Sequence, residues 1–192
     1  MRTIQIDDAG TGDVVGDAFI GFYVVETGEL IFKNIPVELF NEDNWKNKVP
    51  FKIVVDIVKE GLKELNFKKE TEKIKICRGN FFEQVRTYFD EEGINYEQIT
   101  IEGKLQDAVE DKLVNYLREL GVGSRNLTKE SGAKRFFVLY NWVCRDFKSR
   151  EKYVKSGFPA WKKVWKEKAI KDSNRFKNYK RYHSRDVNPQ DK

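Results

Sequence analysis

Histidine, methionine and cysteine are nearly missing from this chain, with one, one and two copies among 192 residues. The two cysteines, Cys77 and Cys144, lie in apolar surroundings with no second Cys or His at ligand spacing. Neither a structural disulfide nor a zinc site is expected from that usage, and a reducing cytoplasm is the natural setting. No apolar run approaches the ~18 residues needed to span a membrane. The N-terminus lacks a signal-peptide pattern. The expectation is a soluble cytoplasmic protein with no membrane partner, long enough for one domain or one domain with an appendage.

Charge is plentiful but unevenly placed. From Arg145 to Lys192 there are 16 Lys/Arg against 6 Asp/Glu, a balance of +10, whereas the preceding 144 residues carry −5. An acidic body with a basic C-terminal quarter points to a partner more than to a fold.

Periodicity supplies the element order. Residues 2–8 and 14–25 alternate or run apolar as strands, and Leu30 to Phe40 reads as a third, disturbed by Pro36. Pro50 opens a helix whose stripe is Ile53, Val54, Ile57, Val58, Leu62 and Leu65. A fourth strand, Lys73 to Cys77, leads through Arg78-Gly79-Asn80 into a helix carrying Phe81, Phe82, Val85 and Phe89. Gln98 to Ile101 forms a fifth strand, and a long helix follows with Leu105, Val109, Leu113 and Leu117 on its buried face. Two helical stretches, 131–149 and 158–179, complete the chain. The order is β-β-β-α-β-α-β-α, an α/β chain whose three-strand meander and right-handed crossovers make a mixed five-stranded sheet. Residues 1–124 form this core, 125–183 a basic, aromatic-rich helical extension, and 184–192 a disordered tail.

The first strand ends in Asp7-Asp8 and runs into Ala9-Gly10-Thr11-Gly12. Acids at a strand end, followed by glycines that allow positive φ and close backbone approach, suit a ligand site. The stretch from Ile6 to Asp17 resembles the first-strand signature of type 2 ribonuclease H: Asp-Glu-Ala-Gly-Arg-Gly-Pro, two variable residues, then Gly-Pro. Asp7 and Asp8 stand where that family has its catalytic pair, and Gly10 and Gly12 match its glycines. Thr11 replaces the arginine, while Asp13 and Asp17 replace the prolines. The strand order is likewise that of the ribonuclease H-like fold.

The resemblance implies metal-assisted phosphodiester hydrolysis, with carboxylates holding two Mg²⁺ or Mn²⁺ ions about 4 Å apart. It asks for acids on the first strand, at the end of the fourth strand and on the last core helix. Asp7 and Asp8 meet the first requirement, although alternation sends the two to opposite faces and one alone is expected to enter the site. Glu102, Asp107 and Asp111 meet the third, with Glu110 between them; Asp107 and Asp111 share a helix face. Asp7, Glu102, Asp107 and Asp111 are therefore the expected metal ligands, and Asp8 joins them as a catalytic candidate. The plain alternative for the helix acids, and for Asp56 on the first helix, is a solvated surface. The fourth strand ends in Cys77-Arg78-Gly79, where the family has an acid. Arg78 and the amides beside it suit phosphate instead.

Nucleic acid, RNA and/or DNA, is the expected partner. Gly10, Thr11 and Gly12 with Arg78 would meet it at the site, and Lys162, Lys163, Lys166, Arg175, Lys180 and Arg181 along the basic quarter. Trp161 and Trp165, four apart, either stack on bases or anchor their helix to the body. The leading expectation is a nuclease acting on RNA–DNA hybrid, RNA or branched DNA. Its competitor is a non-catalytic nucleic-acid-binding or scaffold protein, which the missing fourth-strand acid favours. Asp-x-Gly-Thr-Gly also resembles the phosphate loop of actin-like and sugar-kinase-like ATPases, but those close a second similar domain over the nucleotide, and this length does not supply one.

Overall fold

A computed structural model describes residues 2–123, 127 and 132–183, with the side chains of 180–183 excepted. The chain is α/β. Five strands, β1 (Thr3–Ala9), β2 (Ala18–Val24), β3 (Leu30–Ile35), β4 (Lys73–Cys77) and β5 (Tyr96–Ile99), form one mixed sheet in the order β3-β2-β1-β4-β5. The meander β1-β2-β3 is antiparallel; β4 and β5 run parallel to β1. The expected mixed five-stranded sheet is therefore present.

Local chemistry sets the ends of these elements. Pro36 stops β3 five residues short of the expected Phe40, because proline cannot donate to the ladder, and Val37–Phe40 turns as a short 3₁₀ segment. The polar stretch after it, expected as loop, contains the one-turn helix α1 (Glu42–Lys46), capped by the Asn41 side chain, which accepts from the Asn44 amide at 2.8 Å. α2 (Val49–Glu64) carries Pro50 in its first turn. α3 (Glu83–Glu91) and α4 (Lys104–Glu119) follow β4 and β5. β5 begins two residues earlier than the sequence indicates, at Tyr96, whose ring packs on Phe89.

Alternation divides the core into two layers. Ile4 and Ile6 of β1, Ile20 and Phe22 of β2, and Ile74 and Ile76 of β4 face α2 and α3. Gly61 of α2 sits on Phe22 so closely that a Cβ there would fall 2.4 Å from the ring. On the opposite face Ala9 and Phe19 meet Val109, Leu113 and Leu117 of α4. Outside α4 lie α5 (Ala133–Arg145), the short α6 (Phe147–Arg150), and α7 (Lys166–His183), entered through a π-helical turn at Trp161–Trp165. Leu139, Val143, Cys144 and Trp161 join α4 in this second apolar cluster.

The basic C-terminal part is bound into the body at its centre. Val15 and Val154 pair as an antiparallel bridge, and the Gly16 amide donates to the Tyr153 carbonyl at 2.8 Å. The Lys155 amide donates in turn to Val14 at 2.9 Å. Among the described residues no helix is long and apolar enough to cross a membrane. The expected tail at 184–192 lies outside the described residues.

Candidate metal and phosphodiester site

Parallel pairing of β1 with β4 runs through Ile6↔Ile76, which brings Asp7 and Cys77 side by side at the carboxyl ends of two adjacent strands. Such ends are where open α/β sheets place their ligands. Ligand atoms of Asp7, Asp8 and Cys77 all lie within 4.8 Å of one another. One aspartate alone is expected in the site; ligand atoms of both fall in the cluster, while the cleft beside it is lined by Asp8. Both residues are paired with β2 inside β1, Asp7 with Gly21 and Asp8 with Ile20, yet an oxygen of each carboxylate and the Cys77 sulfur come within 4.8 Å of one another.

The cluster is tightly held. Asp7 is buried, at 7% exposure. Burial raises its carboxyl above the ordinary range, an effect opposed by a hydrogen bond from the Cys77 thiol. Asp8 is pushed up to about 6 by burial, against a hydrogen bond donated by the Thr11 hydroxyl, with the neighbouring Asp7 charge adding to the rise. Burial also drives the Cys77 thiol up to about 12, opposed by the Gly79 amide. Among the described residues, neither Asp7 nor Asp8 pairs with a lysine or arginine, in contrast to Asp13 and Glu110. Two adjacent carboxylates with no cationic partner are the setting in which burial and like charge raise a carboxyl pKa.

A cleft of about 430 Å³ opens beside the cluster, lined by Asp8, Thr11, Gly12, Glu110, Arg135 and Phe136 among others. Its floor is the glycine turn. Gly10 has φ +83°, and a Cβ there would fall 2.9 Å from Leu113 Cδ1, so both backbone and space demand glycine. At Gly12 an added Cβ would meet nothing within 4 Å. Lys155, fully buried, fastens the turn from below: its Nζ donates to the carbonyls of Gly10 at 2.7 Å and Asp13 at 3.0 Å. Arg135 closes the side, donating to Asp13 at 3.0 Å and to Glu110 at 2.7 Å. Burial raises the Glu110 carboxyl while Arg135 holds it down.

Searches against protein-family models and against curated proteins return no match. The geometry therefore stands alone.

The remaining expected residues are distributed as follows. Glu102, Asp107 and Asp111 are exposed and outside the cluster; the α4 acid at the cleft is Glu110. At about 100° per residue, the stripe Leu105, Val109, Leu113, Leu117 places Glu110 beside the buried face and Asp111 nearly opposite it. Asp56 is exposed on α2. Arg78 is exposed just past β4, with its amide donating to Ile99 and its carbonyl accepting from Gln98. The substituted prolines have structural acids in their places: Asp13 pairs with Arg135, and Asp17 accepts from the Val37 amide at 2.9 Å and from Asn34 at 3.0 Å.

In the basic quarter Trp161 is buried, and Trp165 packs on Phe136 and Tyr140 with ring centroids 4.8 and 5.2 Å apart. The tryptophans anchor their helix. Lys162 pairs with Glu42, Lys166 with Glu151 at 3.0 Å, and Arg175 with Asp172 at 3.5 Å, while Lys163 is exposed. The side chains of Lys180 and Arg181 lie outside the described residues. Arg135 and Lys155, the neighbours of the glycine turn that sequence reading does not find, lie more than 100 positions from it in the chain. In the sequence Glu110 stands only as one of the acids of the last core helix, and Cys77 as the residue ending the fourth strand.

Proposed function

We propose that this chain is a metal-dependent nuclease of ribonuclease H-like fold that hydrolyses phosphodiester bonds in nucleic acid. One observation carries the reading: Asp7 and Asp8 converge with a third ligand at the carboxyl ends of parallel β1 and β4, beside an open cleft and without a cationic partner. The sheet order and the Asp-Asp-Ala-Gly-Thr-Gly opening support it, as does the asymmetric positive charge.

Two carboxylates suit Mg²⁺ or Mn²⁺, and Gly79 flanks them, where a Cβ would make ordinary contact with Asp8 Oδ1 at 3.8 Å and Cys77 Sγ at 3.9 Å. Asp7 and Asp8 would hold the cation, which supplies Lewis-acid polarisation of a phosphoryl oxygen and a bound water of lowered pKa. Thr11 orients Asp8 through its hydroxyl. Gly12 leaves the rim of the turn free of side-chain bulk, so a sugar–phosphate backbone can approach. Lys155 and Arg135 keep the turn fixed during that approach.

The test is cleavage of labelled RNA–DNA hybrid, duplex and branched substrates with Mg²⁺ or Mn²⁺, comparing wild type with Asp7→Asn. Metal-dependent cleavage lost in the variant supports the reading; cleavage that survives Asp7→Asn sinks the assigned site.

A second reading, a non-catalytic nucleic-acid-binding protein on the same fold, is favoured by two specific features. The fourth strand ends in a thiol, and the α4 acid at the cleft is occupied by Arg135. Binding that falls steeply with salt, without cleavage under any metal, would select it.

A further inference from the structure

The donor set at the strand ends does not match an all-oxygen magnesium site. Cys77 is the last residue of β4, and its Sγ is one of three ligand atoms within 4.8 Å of one another. The Gly79 amide points at that sulfur. The thiol is half-buried rather than sealed, so an ion can reach it. Cys144, the other cysteine, is buried in the second apolar cluster and unavailable as a disulfide partner.

We infer that Asp7, Asp8 and Cys77 form a mixed carboxylate–thiolate site selective for a softer dication such as Co²⁺ or Zn²⁺ over Mg²⁺. The inference rests on the cation site proposed above and narrows its occupant. Magnesium demands octahedral oxygen ligands and dehydrates reluctantly, whereas thiolate ligands favour softer first-row metals. Three protein donors with further positions left to water or substrate match the open coordination of catalytic sites for such ions. On binding, the Cys77 S–H bond breaks, the proton leaves to solvent, and the sulfur's electron pair forms the metal–sulfur bond. No oxidant or reductant is involved.

The experiment titrates MgCl₂, MnCl₂, CoCl₂ and ZnCl₂ separately into the full chain, as wild type, Cys77→Ser and Cys77→Asp. Affinities are read by calorimetry, and thiolate ligation by the near-ultraviolet thiolate-to-Co²⁺ charge-transfer absorption. Wild type is expected to show the charge-transfer band and to bind Co²⁺ and Zn²⁺ more tightly than Mg²⁺. Cys77→Ser should lose the band, with an affinity loss at least as large as the ~10–100-fold that outer-shell substitutions cause. Cys77→Asp should lose the band and bind Mg²⁺ better than wild type does. Cobalt bound without a charge-transfer band, or a metal preference unchanged in Cys77→Ser, overturns the mixed-ligand inference while leaving the cation site standing. Failure of every metal to bind wild type overturns both.

Discussion

Arg135 donates to Glu110 at 2.7 Å and to Asp13 at 3.0 Å, tying α5 to both α4 and the glycine turn. Arg135 is 1% exposed and Asp13 6%, so the pair is held away from water. Replacing Arg135 with Met removes the guanidinium paired with the buried Asp13 carboxylate, a change that costs about 3–5 kcal/mol for buried pairs. Urea denaturation is expected to show a loss of that order. A loss below about 1 kcal/mol would mean the arginine does not hold the site together.

Asp8 gives the protein a pH signature. Its carboxyl is raised in the folded state from the ordinary 3.8 to about 6, first by burial and then by the charge of Asp7, with Thr11 opposing. The folded state therefore binds the proton more tightly than the unfolded chain. The resulting stability is fully present below pH ~4 and lost as pH rises through about 6. Asp8→Asn should remove that slope and stabilise the metal-free protein at pH 8 by on the order of 3 kcal/mol. Denaturation curves at pH 5 and pH 8 check it; a variant less stable than wild type at pH 8 contradicts it.

The two glycines of the turn should separate structure from approach. Gly10→Ala meets both a positive φ and Leu113, and is expected to cost at least the ~1–2 kcal/mol of a left-handed residue. Gly12→Ala meets nothing within 4 Å and should leave the melting temperature within about 2 °C of wild type. If Gly12 serves close approach of a nucleic-acid backbone, the same variant should weaken hybrid binding in a filter or fluorescence assay.

Lys163 and Trp161 make an analogous contrast in the basic quarter. Lys163 is exposed, whereas Trp161 is 1% exposed in the second core. Lys163→Gln should leave stability unchanged and reduce the slope of log affinity against log salt by about 1 if it meets phosphate. Trp161→Ala should cost about 3–5 kcal/mol through the cavity it opens. A Lys163 variant with an unaltered salt slope removes that lysine from the proposed interface.

The sheet was legible because its signals are local. Ile4 and Ile6, Ile74 and Ile76, and the stripes of α2 and α4 each declare a period and a face within one element. The turn acids were legible for the same reason, since Asp7 and Asp8 end a strand ahead of Gly10. The rest of the site was not, because its partners come from distant positions. Cys77 reaches Asp7 only through parallel pairing, and Arg135 and Lys155 arrive from a quarter whose positive balance reads as surface. Alternation also misled at one point. It sends Asp7 and Asp8 to opposite sides of β1, whereas an oxygen of each carboxylate lies within 4.8 Å of the other and of the Cys77 sulfur. On α4, helical spacing paired Asp107 with Asp111 correctly as neighbours, while the apolar stripe that chooses the inward acid favours Glu110.

Asp7 and Asp8 are proposed to hold a divalent cation at the ends of β1 and β4. The most direct test is Mn²⁺ binding to the full chain at pH 7.5, followed by electron paramagnetic resonance of the free ion, for wild type and Asp7→Asn. One saturable site in wild type, weakened by at least ~10-fold in the variant, is the expected result. Equal binding by the two proteins, or no saturable site in wild type, would contradict the account.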